Sequence, residues 1–482
     1  MIALTGQSAS DISPPAVKKR YFIHTFGCQM NEHDSARMGE SLLRAGWLPA
    51  EAAESADLVL LNTCAIREKA EDKLYSALGR YRMVKAQRGA RIGVAGCVAQ
   101  QEKEGLLERA PYVDFVLGPD QIARIAELAE QGGVETGWVP SEEYVFPQAD
   151  PEGARGKATA FVTATKGCDN VCSFCVVPHT RGREVSRPYG DILREVAALA
   201  AVGVREVTLI GQNVNSYSGG CSFAQLIRRV AAVPDLRRIR FTTSHPMDLS
   251  PELVGCFREV EKLMPHFHLP VQHGADTVLE RMRRRYTVAE YEDRVAGLLA
   301  ACPQVALTSD IICGFPGETE EEHGRTLALL RRVPYDNLFS FVFSERPHTA
   351  AALRLSRERA AAQRSPEWLE VPRPVATRRL EEVHRLQQAR TLARHRSRTG
   401  GEVEVLVESA RTQPGVHGER FGRSRENWTV HFAGASAVGD LVRVRVERAG
   451  LVALVGAQVA VIDATPHPAP PAPRTRLAVV SA

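Results

Sequence analysis

The sequence lacks the features of exported and membrane-spanning proteins. Its longest apolar run, Leu451–Ile462, is too short to cross a bilayer and contains Gln458. The first residues have no continuous apolar core like that of a signal peptide. Ten cysteines in 482 residues are too sparse for a secreted disulfide scaffold. These absences predict a soluble protein of a reducing cytoplasm, with no membrane partner.

A strong excess of charge is also missing from the chain as a whole. Sixty-one lysines and arginines face 57 acidic residues, and a length of 482 residues has room for two to four domains. One local excess stands out between Ala376 and Gly400, where seven arginines accompany two glutamates. Such a segment suits a polyanionic partner, and a solvated helix face is the alternative.

Three of the cysteines lie close together. Cys168, Cys172 and Cys175 form a C-x3-C-x2-C pattern directly after the strand-like run Phe161–Thr163. A structural zinc site normally takes four protein ligands, whereas an iron–sulfur cluster held by three thiolates leaves one iron open for a small molecule. The pattern therefore favours a cluster. A zinc knuckle or reduced structural thiols are the alternatives.

Three more cysteines occupy equivalent places in the N-terminal third. Cys28, Cys64 and Cys97 each follow a strand-like run and precede a helical one. The predicted strands are Tyr21–His24, Leu58–Leu61, Ile92–Ala95 and Val113–Leu117, and helices are predicted near 34–45, 67–87 and 98–109. This alternation predicts a parallel sheet, whose strand ends meet at one edge. We expect a second three-thiolate centre there, with Gly27 and Gly96 allowing the backbone to approach it; buried core thiols are the alternative.

The middle of the chain alternates six apolar runs with helices, which predicts a partial (β/α)6 barrel. The predicted strands are 161–165, 206–210, 239–243, 267–269, 306–312 and 338–343. In barrels of this kind the site lies at the carboxyl ends of the strands. Polar residues and glycines at these turns are predicted to bind a nucleoside-containing ligand; the candidates are Gly211, Gln212, Asn213, Ser244, Gln272, Gly314 and Phe315.

The C-terminal region begins with a helical pattern over Leu380–Arg398 and then changes to a period of two. Short strands separated by Gly, Pro and Asp predict a small β-barrel. Arg423 and Arg425 stand beside Phe421 and Trp428, a combination suited to phosphate contact and base stacking on RNA. Trp428 filling the barrel is the alternative. The predicted segments are a disordered leader (1–18), an N-terminal domain (19–131), a linker (132–156), the core (157–390), the barrel (395–462) and a disordered proline-rich tail (463–482).

Several segments resemble one family. TFGCQMNEHDS, NTCAIREKAEDKLYS, AGCVAQ and GCDNVCSFCVVPHTRGREVSRP resemble the radical S-adenosylmethionine (SAM) methylthiotransferases, and GERFGRSRENWTVHF resembles their RNA-binding TRAM domain. The CQMN and NTCAIREKAE forms are most similar to the bacterial members that modify dimethylallyladenosine in tRNA. The chain departs from the family at His273, where serine is usual, at Arg285, where glycine is usual, and over Glu345–Thr349. These departures concern the pocket and not the six cysteines.

The resemblance implies the activity and the cofactors. A [4Fe-4S] cluster on Cys168, Cys172 and Cys175 would bind SAM and generate a radical, and a second cluster on Cys28, Cys64 and Cys97 would donate sulfur. The product would be the 2-methylthio derivative of N6-dimethylallyladenosine next to the anticodon. His179, Arg181 and Arg183 would contact the substrate phosphate or the SAM carboxylate, with a solvated turn as the alternative.

The resemblance also implies partners. These are a prenylated tRNA, a low-potential electron donor such as flavodoxin and iron–sulfur carrier proteins, and the chain is expected to be a monomer. Three alternatives remain open. They are another tRNA adenosine as substrate, a ribosomal-protein aspartate as substrate, and a non-catalytic zinc-dependent RNA-binding protein.

Overall fold

The computed structural model describes residues 18–65, 68–410, 419–465 and 479–481. They form a parallel-sheet domain, a partial barrel and a small closed barrel, which confirms the predicted fold class. None of the helices in these ranges is long and apolar enough to cross a membrane.

The N-terminal domain is a parallel sheet with helices on its faces. Its strand order is β2-β1-β3-β4-β5-β6, and residues on both faces of the central strands are buried, as expected for a covered parallel sheet. The strands are β1 (Arg20–Thr25), β2 (Leu48–Pro49), β3 (Leu58–Thr63), β4 (Arg91–Gly96), β5 (Phe115–Leu117) and β6 (Gly133–Glu135). The helices are α1 (Gln29–Arg44), α2 (Glu68–Arg88), α3 (Cys97–Glu102), α4 (Glu104–Arg109) and α5 (Ile125–Gln131).

Three predicted boundaries in this domain are corrected. Helix α1 starts directly after Cys28 and not at Asp34. The single helix predicted over 98–109 is two helices, because Lys103 between them has a φ of 51°. The predicted linker at 132–156 begins too early, since β6 pairs with β5 and so belongs to the sheet.

The core contains the six predicted parallel strands. They form two three-stranded sheets, β7-β10-β11 and β12-β13-β14, joined by a bridge between Ile239 and Leu263. Its strands are β7 (Thr159–Thr163), β8 (Thr165–Lys166), β9 (Val185–Ser186), β10 (Glu206–Ile210), β11 (Arg238–Thr242), β12 (His266–His268), β13 (Ala306–Cys313) and β14 (Tyr335–Val342). Its helices are α6 (Pro151–Ala154), α7 (Val177–Thr180), α8 (Tyr189–Ala201), α9 (Phe223–Ala231), α10 (Pro251–Glu259), α11 (Asp276–Arg281), α12 (Val288–Ala301), α13 (Glu320–Arg332), α14 (Ala350–Ala360) and α15 (Arg373–Arg396).

The last strand of the core has one face in the hydrophobic core and one face open. Leu338 is buried in the cluster that lies between the strands and the outer helices. Phe339 directly follows Leu338 and Phe341 comes two residues later, and these two side chains are 46% and 39% exposed. Because successive side chains of a strand point to opposite faces, these two rings face the interior of the partial barrel. Phe339 lies there against the ring of His268, at 5.7 Å between centroids.

The C-terminal module is a closed five-stranded barrel with the strand order β15-β16-β17-β19-β18. Its strands are β15 (Glu402–Ser409), β16 (Glu419–Ser424), β17 (Thr429–Ala433), β18 (Leu441–Ala449) and β19 (Ala453–Asp463). Strand β20 (Val479–Ser481) pairs with β1 of the N-terminal sheet. The predicted disorder of the tail is therefore wrong for these three residues, and 466–478 and the leader up to residue 17 lie outside the described residues.

Arginines of strand β11 hold the barrel against the core. Arg238 donates to the carbonyl of Arg423 at 2.9 Å, and Arg240 donates to the carbonyls of Ser424 and Arg425 at 2.7 and 2.9 Å. Glu206 on the neighbouring strand pairs with Arg240 at 2.9 Å. These buried, charge-assisted bonds fix the β16–β17 turn to the core.

Candidate active site

The three N-terminal cysteines lie at the carboxyl edge of the sheet, as predicted. Cys28 caps the start of α1, Cys64 follows β3, and Cys97 is the first residue of α3 after β4. Gly27 has a φ of +124°, and a Cβ atom there would lie 2.3 Å from the Cβ of Cys64. Only glycine fits this space, so the backbone approaches the cysteine as the sequence predicts. We call Cys28, Cys64 and Cys97 the N-terminal triad.

Replacing Gly27 with Ala should disrupt the N-terminal triad. The added methyl group must displace Cys64, and the residue would also be strained at positive φ. We expect the purified chain to lose about half of its iron and sulfide, which colorimetric assay would measure. Gly79→Ala is the matched control, because Gly79 is an exposed residue of α2 with no atom within 4 Å of an added Cβ. Full iron content in Gly27→Ala would contradict the role of this glycine.

The second cysteine group lies on the loop between β8 and α7. Gly167 directly precedes it, and its amide donates to Oε1 of Gln212 at 2.5 Å. A Cβ atom on Gly167 would lie 1.9 Å from the carbonyl oxygen of Arg183, so the two ends of the loop are in contact. We call Cys168, Cys172 and Cys175 the loop triad.

A short segment after the loop triad joins it to the N-terminal triad. The carbonyl of Gly182 accepts a hydrogen bond from the amide of Cys168 at 3.2 Å. The preceding residue, Arg181, is buried and donates from Nε to Sγ of Cys97 at 3.3 Å. Its other end pairs with Asp34 on α1 at 2.7 Å. The two triads therefore lie on either side of Arg181–Gly182.

Each triad has one buried arginine against one of its sulfur atoms. Arg284 donates from Nη1 to Sγ of Cys172 at 3.3 Å, which matches the contact that Arg181 makes with Cys97. Thiolate-bound clusters carry negative charge, so a buried cation favours their assembly. The two arginines differ in one respect: Arg181 has the counter-ion Asp34, whereas Arg284 bonds the neutral Tyr286 hydroxyl and the Pro270 carbonyl.

The thiols differ in acidity. A hydrogen bond from Cys64 is the main cause that lowers the pKa of Cys28 to about 6, with Arg181 adding to it. Burial raises the pKa of Cys175 to about 12 and also raises the pKa of Cys168. Metal binding must therefore release protons from the loop triad, whereas the first thiolate of the N-terminal triad forms more readily.

In the described part of the chain, no three His, Cys, Asp or Glu side chains are placed to hold one metal ion. In a four-iron cluster each thiolate binds a different iron, so its ligands stand farther apart than those of a single zinc ion. The cysteine-only donor sets and the glycine cradle at Gly27 fit iron–sulfur clusters bound to three thiolates.

Two of the predicted nucleoside-binding residues have unsatisfied buried atoms. Asn213 Oδ1 and Ser244 Oγ are buried and lack hydrogen-bond partners, while Asn213 Nδ2 donates to Asp248 at 2.7 Å. Buried polar atoms without partners are rare, so these atoms point to a polar ligand. Gly211 approaches Thr165 so closely that a Cβ would lie 2.1 Å from its Oγ1.

The remaining candidates at this rim differ. Gln272 has a φ of 75° and is bonded to β13 through its backbone. Its backbone N–H donates to the backbone carbonyl of Asp310 at 2.9 Å. Gly314 has a φ of 73°, and its amide donates to buried Glu318. Phe315 is fully buried and packs edge-on against Phe343 and Trp368. The prediction that Phe315 binds the nucleoside is therefore wrong, because its side chain is part of a hydrophobic cluster.

The three basic residues after the loop triad have different surroundings. Arg183 is 82% exposed and pairs with Asp169 at 2.7 Å. His179 is exposed and stands 6.0 Å from the ring of His348. Arg181 is turned inward to Cys97, so the prediction that it contacts a phosphate or the SAM carboxylate is wrong.

One of the predicted RNA-binding residues is also corrected. Trp428 is 6% exposed within the barrel core and donates from Nε1 to Asp336 at 3.3 Å. It cannot stack on a base without leaving the core. Phe421 is partly exposed beside His431, with centroids 5.4 Å apart. The side chains of Arg423 and Arg425 are 40% and 37% exposed, so these three residues stay available for RNA.

Sequence reasoning missed Arg284, Phe339 and Phe341 as site residues. Arg284 is the middle one of three consecutive arginines, a pattern that is typical of an ordinary charged surface. The two phenylalanines lie in an apolar strand, whose side chains are normally expected to be buried in the hydrophobic core. A register shift of β14 against β13 next to Leu307 places them on the inner face, and no pattern in the sequence marks that shift.

Comparisons with known proteins show which families the chain resembles. Residues 20–118 match the model of "Uncharacterized protein family UPF0004", and residues 162–330 match the model of the Radical SAM superfamily. The chain is 60% identical to the tRNA-2-methylthio-N(6)-dimethylallyladenosine synthase of Anaeromyxobacter dehalogenans, over 92% of this chain and 95% of that one. It is 57% identical to the synthase of the same name from Myxococcus xanthus, over 92% and 95%.

A solved structure shows the same fold at low sequence identity. The radical SAM methyltransferase from Kitasatospora setae with cobalamin and a [4Fe-4S] cluster bound matches with a TM-score of 0.53 and 14% identity, over 73% of this chain and 80% of that one. The match supports the parallel-sheet domain and the partial barrel.

Proposed function

We propose the following function because this chain belongs to the family of the tRNA-2-methylthio-N(6)-dimethylallyladenosine synthases. The chain is then a radical SAM methylthiotransferase that converts dimethylallyladenosine next to the anticodon of tRNA to its 2-methylthio derivative. The observation that carries the proposal is the placement of two cysteine triads on either side of Arg181–Gly182.

The chemistry explains why two triads are needed. Carbon 2 of adenine carries an unactivated hydrogen, which neither a general base nor a nucleophile replaces easily. The two [4Fe-4S] clusters and SAM, when bound, supply the hydrogen-abstracting radical, the sulfur and the methyl group. The protein supplies binding, orientation and charge around them.

The residues of this chain have separate tasks in the reaction. The loop triad would hold the cluster that binds SAM, and Asn213 and Ser244 would offer their unpartnered oxygens to the polar groups of SAM. Arg181 and Arg284 hold one sulfur of each triad with a buried positive charge. The substrate base must lie between the triads, since one takes part in hydrogen removal and the other in sulfur delivery.

The barrel is the RNA-binding part of this proposal. Arg423, Arg425 and Phe421 offer phosphate and stacking contacts, and the arginine bonds of β11 hold them at a fixed place relative to the core. A low-potential electron donor, iron–sulfur carrier proteins, a cytoplasmic location and a monomeric state complete the proposal.

Phe339 and Phe341 are expected to recognise the prenyl group of the substrate. Their exposed rings line the interior of the partial barrel, where an apolar substituent gains by leaving water. Replacing both with Ala should raise the KM for prenylated tRNA by about tenfold or more, the size expected for lost apolar contacts in a pocket. Leu353→Ala is the control, because Leu353 is an exposed apolar residue of α14. An unchanged KM in the double variant would refute this assignment.

The substrate class is tested with the purified chain. The reconstituted protein, SAM and a reductant are incubated with prenylated tRNA, with the same tRNA lacking the prenyl group, and with ribosomal protein. We expect mass spectrometry to find methylthiolation of the prenylated adenosine alone. Modification of a ribosomal-protein aspartate in place of tRNA would overturn the proposal.

Metal analysis tests the non-catalytic alternative. Anaerobic purification should give about eight iron and eight sulfide per chain, as two four-iron clusters require. Zinc in place of iron would make the chain a zinc-dependent RNA-binding protein and end the enzyme proposal.

A further inference from the structure

A basic loop packs directly on the loop triad. Ser173, between Cys172 and Cys175, donates its amide to the carbonyl of Met282 at 3.0 Å and its hydroxyl to the carbonyl of Arg281 at 2.7 Å. From the same loop, Arg284 donates to Cys172 Sγ at 3.3 Å. Residues 281–284 are thus bonded directly to the loop triad segment.

The outer side of this loop carries free positive charge. Arg283 and Arg285 flank buried Arg284, and both are exposed. Neither forms an ion pair with a described residue. Their φ angles are +58° and +57°, a region that favours glycine, so arginine is held at both positions against the preference of the backbone.

A third arginine extends the patch. The ring of His245 lies 5.9 Å from the ring of Tyr286, which directly follows Arg285, so the segment 245–247 lies beside the basic loop. Arg294 donates to Sδ of Met247 at 3.6 Å, which brings that side chain to the patch.

The exposed apolar residues here are aliphatic. Met247 is 45% exposed, and Val171, next to Cys172 on the cluster loop, is 46% exposed. Cations around exposed aliphatic side chains are typical of a protein-docking surface. A single-stranded RNA site would instead offer aromatic rings for stacking.

From these contacts we infer that an acidic electron-carrier protein docks on this surface, formed by Val171, Met247, Arg283, Arg285 and Arg294, and reduces the cluster of the loop triad. The inference rests on the proposed function. In the step, the carrier is oxidised by one electron and the cluster is reduced by one, and no bond of this chain forms or breaks. Complementary charge would steer the carrier to the point where Arg284 joins the surface to Cys172.

Charge reversal tests the surface by binding. Arg283→Glu with Arg285→Glu should weaken the binding of flavodoxin by about tenfold or more at low salt and flatten the dependence of its Kd on salt. The matched control is Arg88→Glu with Arg331→Glu, which changes the net charge equally. Both control residues are exposed at the ends of helices α2 and α13, on the side of their sheets opposite the cysteines. Calorimetry of the holoenzyme measures the binding.

A second variant removes charge without backbone strain. Arg283→Gly with Arg285→Gly suits the positive φ at both positions, so the loop keeps its fold. We expect weaker flavodoxin binding than in the wild type, and SAM cleavage that is slow with flavodoxin but normal with dithionite, a small reductant that needs no docking surface.

The outcomes separate the inference from the function. Unchanged flavodoxin binding in both variants would overturn the inference. If the variants lost tRNA binding but kept flavodoxin binding, the patch would be an RNA site, and the inference would also be overturned. Failure of the wild-type holoenzyme to cleave SAM with dithionite would instead refute the proposed function, and the binding experiment would still decide the docking surface.

Discussion

Replacing Cys168 with Ala should abolish the cleavage of SAM. The loop triad has no fourth thiol to take over among the described core residues, because Cys256, Cys302 and Cys313 are buried in the hydrophobic core and Cys221 packs, partly buried, against the same cluster. With only two thiolates left, the cluster that binds SAM is lost, and with it both sulfur insertion and methylation of tRNA. Chromatography of the SAM cleavage products measures the effect directly.

Cys28→Ala is the informative counterpart. It removes one ligand of the N-terminal triad and leaves the loop triad with Arg284 in place. We expect SAM cleavage to continue while sulfur insertion stops, so that tRNA stays unthiolated. The division of roles between the triads would be refuted if both variants still thiolated tRNA. It would also be refuted if both variants still cleaved SAM.

Replacing Arg181 with Met should cause a large loss of stability. The change leaves the Asp34 carboxylate buried without its partner, and breaking a buried ion pair from one side typically costs about 3–5 kcal/mol. Burial raises the pKa of Asp34, but Arg181 and His33 outweigh it and hold that pKa below the ordinary value. Asp34 thus contributes stability above its unfolded pKa, and this contribution is lost as the pH falls.

The variant should show the opposite dependence on pH. Without Arg181, burial dominates and the pKa of Asp34 rises, so the variant regains stability relative to the wild type as the pH falls towards 4. Urea unfolding midpoints of the apo chain at several pH values measure both effects. Arg181→Met with Asp34→Asn is the control, which should recover much of the loss by removing the buried charge. If Arg181→Met alone were as stable as the wild type at pH 7, the result would contradict the importance of the Arg181–Asp34 pair.

The sequence predicted the fold and the two triads because these depend on local, repeated patterns. The strand ends at Cys28, Cys64 and Cys97 could be read from periodicity alone, and parallel pairing then requires that they meet at one edge. The close approach at Gly27 followed from the same pattern and is confirmed by the 2.3 Å contact of an added Cβ.

Side-chain environments depended on contacts between distant segments, which the sequence does not display. Arg181 follows the loop triad in the chain, yet its guanidinium reaches a cysteine of the other domain. Trp428 stands among arginines as a stacking residue would, yet it closes the barrel core and bonds Asp336 of the partial barrel. Phe315 sits at a predicted rim turn but points into a hydrophobic cluster. In each case the tertiary packing decided which way the side chain turned.

Mass spectrometry of tRNA nucleosides from a strain lacking the gene for this chain tests the central claim most directly. The account predicts that the methylthio group disappears while dimethylallyladenosine accumulates, and that the wild-type chain restores the product whereas Cys28→Ala does not. Unchanged methylthio-adenosine in the deletion strain would contradict it.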